Sequence, residues 1–134
     1  MNIMEVKFSA KSENESLARV IVASFAAKLD PTIDELSDIK TAVSEAVTNA
    51  IIHGYEEDET KFVHMRCELI ENTIKIVIED YGKGIADIEE ARQPMFTSKP
   101  ELERSGMGFS FMEVASIVGE GTKVIMTKTI EIPK

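Results

Sequence analysis

Glu45 and Asn49 stand four positions apart in the run Ser44-Glu45-Ala46-Val47-Thr48-Asn49-Ala50. In a helix four residues advance about 400°, so the two side chains lie one above the other on a single face. An amide oxygen suits Mg²⁺, which takes oxygen ligands, keeps waters and borrows further ligands from substrate phosphates. A carboxylate one turn earlier can accept a proton from an attacking hydroxyl or water. A solvated polar helix face has the same spacing, so the pair decides little alone.

Two further stretches carry compatible chemistry. Asp80-Tyr81-Gly82-Lys83-Gly84 places an acid at the end of a strand, before two glycines. A carboxylate there can accept a hydrogen bond from the exocyclic amine of adenine. Gly82 and Gly84 would let the backbone approach the ring closely. A simple turn would use the same residue types. Arg104-Ser105-Gly106-Met107-Gly108 is a glycine pair ahead of an expected helix. Free N–H groups and the positive helix end could cradle phosphates there, with Arg104 neutralising the terminal one. The chain has no Gly-x-x-x-x-Gly-Lys-Ser/Thr, no full Gly-x-Gly-x-x-Gly and no His-Arg-Asp set, which excludes a P-loop enzyme or a eukaryote-type protein kinase. His53 and His64 lack the Cys or carboxylate neighbours of a zinc site.

The elements that must hold these residues follow from periodicity. Met4, Val6 and Phe8 alternate with polar residues as in a half-buried strand. Ser12 with Glu15 reads as a capping box for a first helix to about Leu29, with Leu17, Val20, Ile21, Ser24 and Phe25 on its inner stripe. Thr32 with Glu35 opens a second helix, its stripe Leu36, Ile39, Val43, Val47 and Ala50, with Gly54 as its stop. Glu56–Glu59 is an acidic loop. Phe62–Leu69 and Thr73–Glu79 form a hairpin around Glu71-Asn72. A short helix over Asp87–Gln93 ends at Pro94, and Met95–Ser105 reads as a mobile loop. A helix from Gly106 through Phe109, Met112 and Val114, a turn at Gly119–Gly121 and a strand over Lys123–Ile132 complete the chain. Hairpin-joined strands favour an α+β, two-layer α/β sandwich: a mixed, mostly antiparallel sheet with helices on one face.

The bulk numbers agree with one domain over residues 1–134, with 43% hydrophobic and 29% charged residues. Fifteen basic against 24 acidic residues leave a net charge of −9, which argues against non-specific nucleic-acid or anionic-membrane binding. The single cysteine, Cys67, cannot form an internal disulfide and falls among Val63, Met65 and Leu69 as a buried apolar residue. No apolar run reaches the ~20 residues of a membrane span. The N-terminus has no signal-peptide pattern, so a cytoplasmic location is expected.

In this order the three stretches resemble the N, G1 and G2 boxes of the gyrase, histidine-kinase and MutL (GHKL) ATPase superfamily. Gly121-Thr122 is similar to the threonine-bearing segment that completes its adenine pocket. Ser44–Tyr55, Glu90–Pro94, Phe96-Thr97 and Lys99–Phe109 resemble the anti-sigma-factor serine kinases, specifically the anti-sigma-F factors of endospore-forming bacteria. The resemblance runs from about Phe8 to Phe111. It implies a Mg-ATP site between the helical layer and a lid. It also implies a factor that holds a sigma-F-type sigma factor away from RNA polymerase and phosphorylates a serine of a small (STAS-type) anti-anti-sigma protein. By position, Glu45 would be the base, Asn49 the Mg²⁺ ligand and Asp80 the adenine acceptor. Gly82, Lys83 and Gly84 would line the adenine side with Thr122, and Arg104, Ser105, Gly106, Met107 and Gly108 the phosphates. Arg19 matches a partner-contacting arginine, and a homodimer is implied. Ser110–Glu120 is short for the family's helix plus strand, which predicts a clipped helix or a missing or fused penultimate strand.

A nucleotide-gated sigma-binding module with weak or lost kinase activity is the alternative; it predicts ATP-dependent sigma binding that survives Glu45→Ala. A sensor histidine kinase is disfavoured because no histidine occurs before the first cluster.

Overall fold

Alternation sets the sheet, and its sense is antiparallel throughout. The computed structural model describes residues 1–84 and 109–131. Among these, β1 (Asn2–Ser9), β2 (Phe62–Ile70), β3 (Thr73–Asp80), β4 (Phe111–Ile117) and β5 (Gly121–Thr129) form one sheet in the order β1-β2-β3-β5-β4. All four neighbouring pairs are antiparallel, in line with the mostly antiparallel α+β sheet expected. Val63, Met65, Cys67 and Leu69 of β2 face inward with Ile74, Ile76 and Ile78 of β3 and Val124 and Met126 of β5. Cys67 is fully buried as expected, and desolvation pushes its thiol up to about 12.

The helical layer is α1 (Asn14–Ala26) and α2 (Ile33–Asn49), packed on each other and on the inner face of the sheet. The Thr32–Glu35 capping box forms as read: the Glu35 N–H donates to Thr32 Oγ1 at 3.1 Å and the Thr32 N–H to Glu35 Oε1 at 2.9 Å. Ile39, Val43 and Val47 fall on the buried stripe, with Ala42 and Ala46 beside them.

Three readings need correction. The buried face of α1 is Ala18, Val22, Phe25 and Ala26, while Leu17 and Val20 are 46% and 65% exposed. The helical period was right but its phase was off by about one residue. Small alanines, not the larger Leu17 and Val20, occupy the crowded side. The Ser12–Glu15 box is not made: α1 starts without a side-chain cap, and Glu15 turns instead to Ser44 and Arg19. The helix read through Phe109, Met112 and Val114 is not present over its described part. Phe111–Ile117 is β4, with Met112 opposite Met126 and Val114 opposite Val124. A short apolar run fits either period, and pairing with β5 decides it. The penultimate strand is therefore complete within the interval that looked too short. The turn before β5 stands as read. The readings over Asp87–Ser105 lie outside the described residues.

Candidate functional site

Asp80 is the last residue of β3 and continues the inward row of Ile74, Ile76 and Ile78, so its carboxylate points into the two-layer interior. It is only 4% exposed. The Gly82 N–H donates to Asp80 Oδ1 at 3.0 Å, and the Thr122 backbone N–H also serves the carboxylate. Desolvation dominates and raises its pKa; the two N–H donors work against this, and the Glu79 charge adds to it.

Glycines surround this acid because no side chain fits. A Cβ on Gly54 would lie 2.7 Å from both Cγ and Oδ1 of Asp80. One on Gly82 would lie 2.0 Å from the Gly54 carbonyl oxygen, and one on Gly121 2.1 Å from the Asp80 carbonyl oxygen. Gly84 sits at φ +77°, and a Cβ there would lie 2.3 Å from the Ile117 carbonyl oxygen. Gly82 and Gly84 thus serve first as sites of close backbone approach between neighbouring segments. Thr122 is the register partner of Asp80 across β3 and β5, is buried, and its hydroxyl lies 2.8 Å from that of Ser116.

The α2 helix reaches this end of the sheet through a single wide π-helical turn, Ala50–Gly54. Glu45 and Asn49 precede that turn on α2 and are both exposed, on the open side of the helix. Burial, although partial, raises the Glu45 carboxyl above the usual glutamate range. Gly54 does not take the left-handed conformation expected of a stop; Glu56 and Glu57 do, at φ 52° and 64°. Lys83 leans outward, 3.1 Å from Glu56. Arg19 is exposed on α1, with Nε 3.2 Å from Glu15. Arg104, Ser105, Gly106, Met107 and Gly108 lie outside the described residues.

The structure thus brings Asp80, Gly82, Gly84 and Thr122 together at the end of the sheet and joins them through one turn to the helix carrying Glu45 and Asn49. Sequence reasoning missed Gly54, Tyr55 and Ser116 as parts of this end of the molecule, whereas Gly121 is read together with Thr122. The Tyr55 hydroxyl donates to the Phe62 carbonyl at 2.7 Å and accepts from the Tyr81 N–H at 2.7 Å. The signal available was the Gly54-Tyr55 pair directly after the Glu45–Asn49 helix. Among the described residues no cluster of three or more His, Cys, Asp or Glu could hold a metal by itself. An amide on the open face of α2 suits a cation that draws most ligands from phosphates and water. The buried, N–H-supplied carboxylate in a glycine cradle suits the edge of a flat heterocycle.

The model of the histidine kinase-like ATPase domain matches residues 8–128. An anti-sigma F factor of Clostridium perfringens is 60% identical over 95% of this chain and 96% of its own. Another, from Anoxybacillus flavithermus, is 58% identical over 95% and 92%. In fold, the RsbU and RsbW domains of a Mycobacterium tuberculosis protein match with a TM-score of 0.70 at 17% identity, over 97% of this chain and 32% of that one. The histidine kinase domain of a blue-light activated kinase from Erythrobacter litoralis matches at 0.59 and 18% identity, over 87% and 61%. With a family model spanning most of its length and relatives this similar, the chain belongs to the anti-sigma F factors, within the histidine kinase-like ATPase domains.

Proposed function

We propose that this protein is an anti-sigma factor and a serine protein kinase. It binds a sporulation sigma factor of the sigma-F type, keeping it from RNA polymerase. Using Mg-ATP, it phosphorylates a serine of a STAS-type anti-anti-sigma protein. The observation that carries the reading is Asp80: a buried carboxylate, ringed by glycines and paired with Thr122, one turn beyond the helix that bears Glu45 and Asn49.

In this reading Asp80 accepts the exocyclic amine of adenine, with Gly82, Lys83, Gly84 and Thr122 around the ring. Asn49 presents its amide oxygen to Mg²⁺, and Arg104, Ser105, Gly106, Met107 and Gly108 hold the phosphates. Mg²⁺, when bound, neutralises charge on the β- and γ-phosphates. Glu45 takes the proton of the substrate serine as that oxygen bonds to the γ-phosphorus and the bond to the departing ADP breaks. A raised carboxyl pKa makes Glu45 a better proton acceptor near neutrality than an ordinary glutamate. Arg19 meets protein partners from α1. The protein acts in the cytoplasm as a homodimer, without direct contact to nucleic acid or membrane.

The test is transfer of labelled phosphate from ATP to a matching anti-anti-sigma protein, with sigma binding measured in parallel. Wild type should transfer label, and Glu45→Ala should lose on the order of 10²–10⁴-fold in rate while still binding sigma factor in the presence of ATP. No transfer by wild type, or undiminished transfer by the variant, removes the kinase reading.

A further inference from the structure

We propose that Gly54 and Tyr55 are positioning residues for the Asp80 carboxylate and thereby set the purine selectivity of the nucleotide pocket. The inference rests on the reading of Asp80 as the adenine acceptor. It concerns residues that need not touch the base themselves.

The argument begins with the wide turn. After Asn49 the helix does not close normally: the Tyr55 N–H donates to the Ala50 carbonyl at 2.9 Å, five residues back. A π-helical turn inserts one residue into a helix, is uncommon, and concentrates at functional sites. Its effect here is to bring position 54, and only a glycine, against the acid. A Cβ at Gly54 would be 2.7, 2.7 and 2.8 Å from Cγ, Oδ1 and Oδ2 of Asp80. Near-equal distances to all three atoms mean that it would sit over the flat face of the carboxylate. The Gly54 carbonyl also accepts the Lys83 N–H at 3.1 Å, so the turn is held to the loop on the far side of the acid.

Tyr55 fixes the chain on the acid's other flank. Its ring is buried, and its hydroxyl clamps the Tyr81 N–H and the Phe62 carbonyl, both at 2.7 Å. Tyr81 follows Asp80 directly, and Gly82, next along, donates back to Asp80 Oδ1. The backbone leaving Asp80 is therefore held by a hydroxyl from the π-turn segment and by the acid itself. A carboxylate aimed in this way accepts from an amino group at the purine 6-position, and a carbonyl oxygen there would face it with like charge. Hydrogen bonds weaken steeply with misalignment, so a small rotation of the carboxylate erodes this discrimination.

The experiment is calorimetric titration of the full chain with MgATP and with MgGTP, reading the ratio of the two dissociation constants. Wild type, Asp80→Asn, Gly54→Ala and Tyr55→Phe are compared with Cys67→Ala, which perturbs the core on β2 away from the acid. Gly54→Ala is expected to lose about tenfold or more in ATP affinity and most of the preference for ATP over GTP. Tyr55→Phe keeps the ring and loses part of the preference, and Cys67→Ala keeps all of it. An unchanged ratio in folded Gly54→Ala overturns the inference; where that variant does not fold, an unchanged ratio in Tyr55→Phe does so. A wild type without ATP preference, or an Asp80→Asn variant that retains it, overturns the assignment of Asp80 and the inference with it.

Discussion

The Ser44 hydroxyl of α2 donates to Glu15 of α1, and the same Glu15 oxygen lies 3.2 Å from Nε of Arg19. Arg19 is thereby tied, through one carboxylate, to the residue immediately before Glu45. Its Nη2 also reaches the Ser16 hydroxyl at 3.4 Å, yet its side chain is 44% exposed.

That geometry separates stability from binding at Arg19. An exposed ion pair within one helix contributes only about 0.3–0.5 kcal/mol. Arg19 can exchange Glu15 for a partner's carboxylate at little cost, and arginine is a frequent interface anchor. Arg19→Ala should therefore leave the thermal midpoint within ~2 °C of wild type and weaken sigma-factor binding about tenfold or more. Differential scanning fluorimetry and a binding isotherm on the same preparation check both halves; equal partner affinity would reduce Arg19 to a solvated charge.

Asp80 predicts a pH dependence whose direction follows from its burial. Its raised pKa means that protonation begins above the ordinary aspartate value of about 3.9. The proposed adenine contact needs the ionised form, so ATP affinity should fall on acidification as pH passes down through the raised pKa. Asp80→Asn should lower affinity throughout and flatten that dependence. In the unliganded protein the sign reverses: the cost of the buried charge is present above the folded pKa and relieved below it. Titrations at several pH values distinguish the two, and a wild-type affinity that holds steady as pH falls all the way to the ordinary aspartate value counts against the contact.

Much of the architecture was legible because its signals are local. The hairpin needed only the alternation of Ile74, Ile76 and Ile78 against Val63, Met65 and Cys67, and the start of α2 needed only Thr32 and Glu35. The failures came where two readings shared the same residues. Phe109 and Met112 are three apart, as in a helix, while Met112 and Val114 are two apart, as in a strand; only β5 beside them settles the choice. In α1 the bulky Leu17 and Val20 outweighed Ala18 and Ala26, although close packing against α2 favours the small side chains. The site divides in the same way. Asp80 and Thr122 could be named from motif order, but Gly54 was taken for a helix stop. Its role depends on a carboxylate 26 positions away, which no local pattern reports.

The two capping boxes read from the sequence make opposite predictions now that only one is formed. Thr32 accepts from the Glu35 N–H, and Glu35 in turn receives N–H groups from Thr32 and Glu131. Desolvation raises the Glu35 pKa, but these hydrogen bonds prevail and the net shift is downward. Its contribution to stability is therefore present above the unfolded glutamate value and lost as pH falls through the lowered folded value. Thr32→Ala should cost about 1 kcal/mol in urea unfolding at neutral pH. Ser12→Ala, which removes no cap, should stay within about 0.5 kcal/mol of wild type. Equal losses at the two positions would contradict the helix starts described.

The segment after the π-turn holds Glu56 and Glu57 consecutively in the left-handed region. Glu56 has a reason to remain, since its carboxylate meets Lys83 at 3.1 Å. Glu57 contributes its backbone N–H to the Ile51 carbonyl at 2.8 Å, a bond that glycine preserves. A left-handed residue with a Cβ costs roughly 1–2 kcal/mol, against about 0.5–1 kcal/mol of chain entropy added by glycine. Glu57→Gly should therefore stabilise the protein by about 0.5–1 kcal/mol, the difference between those two effects. Urea denaturation gives the sign directly. Because the backbone bond to Ile51 survives, ATP affinity should be unchanged; a stabilised variant that binds ATP less well would mean that the strain at Glu57 is itself part of how the turn presents Gly54 to Asp80.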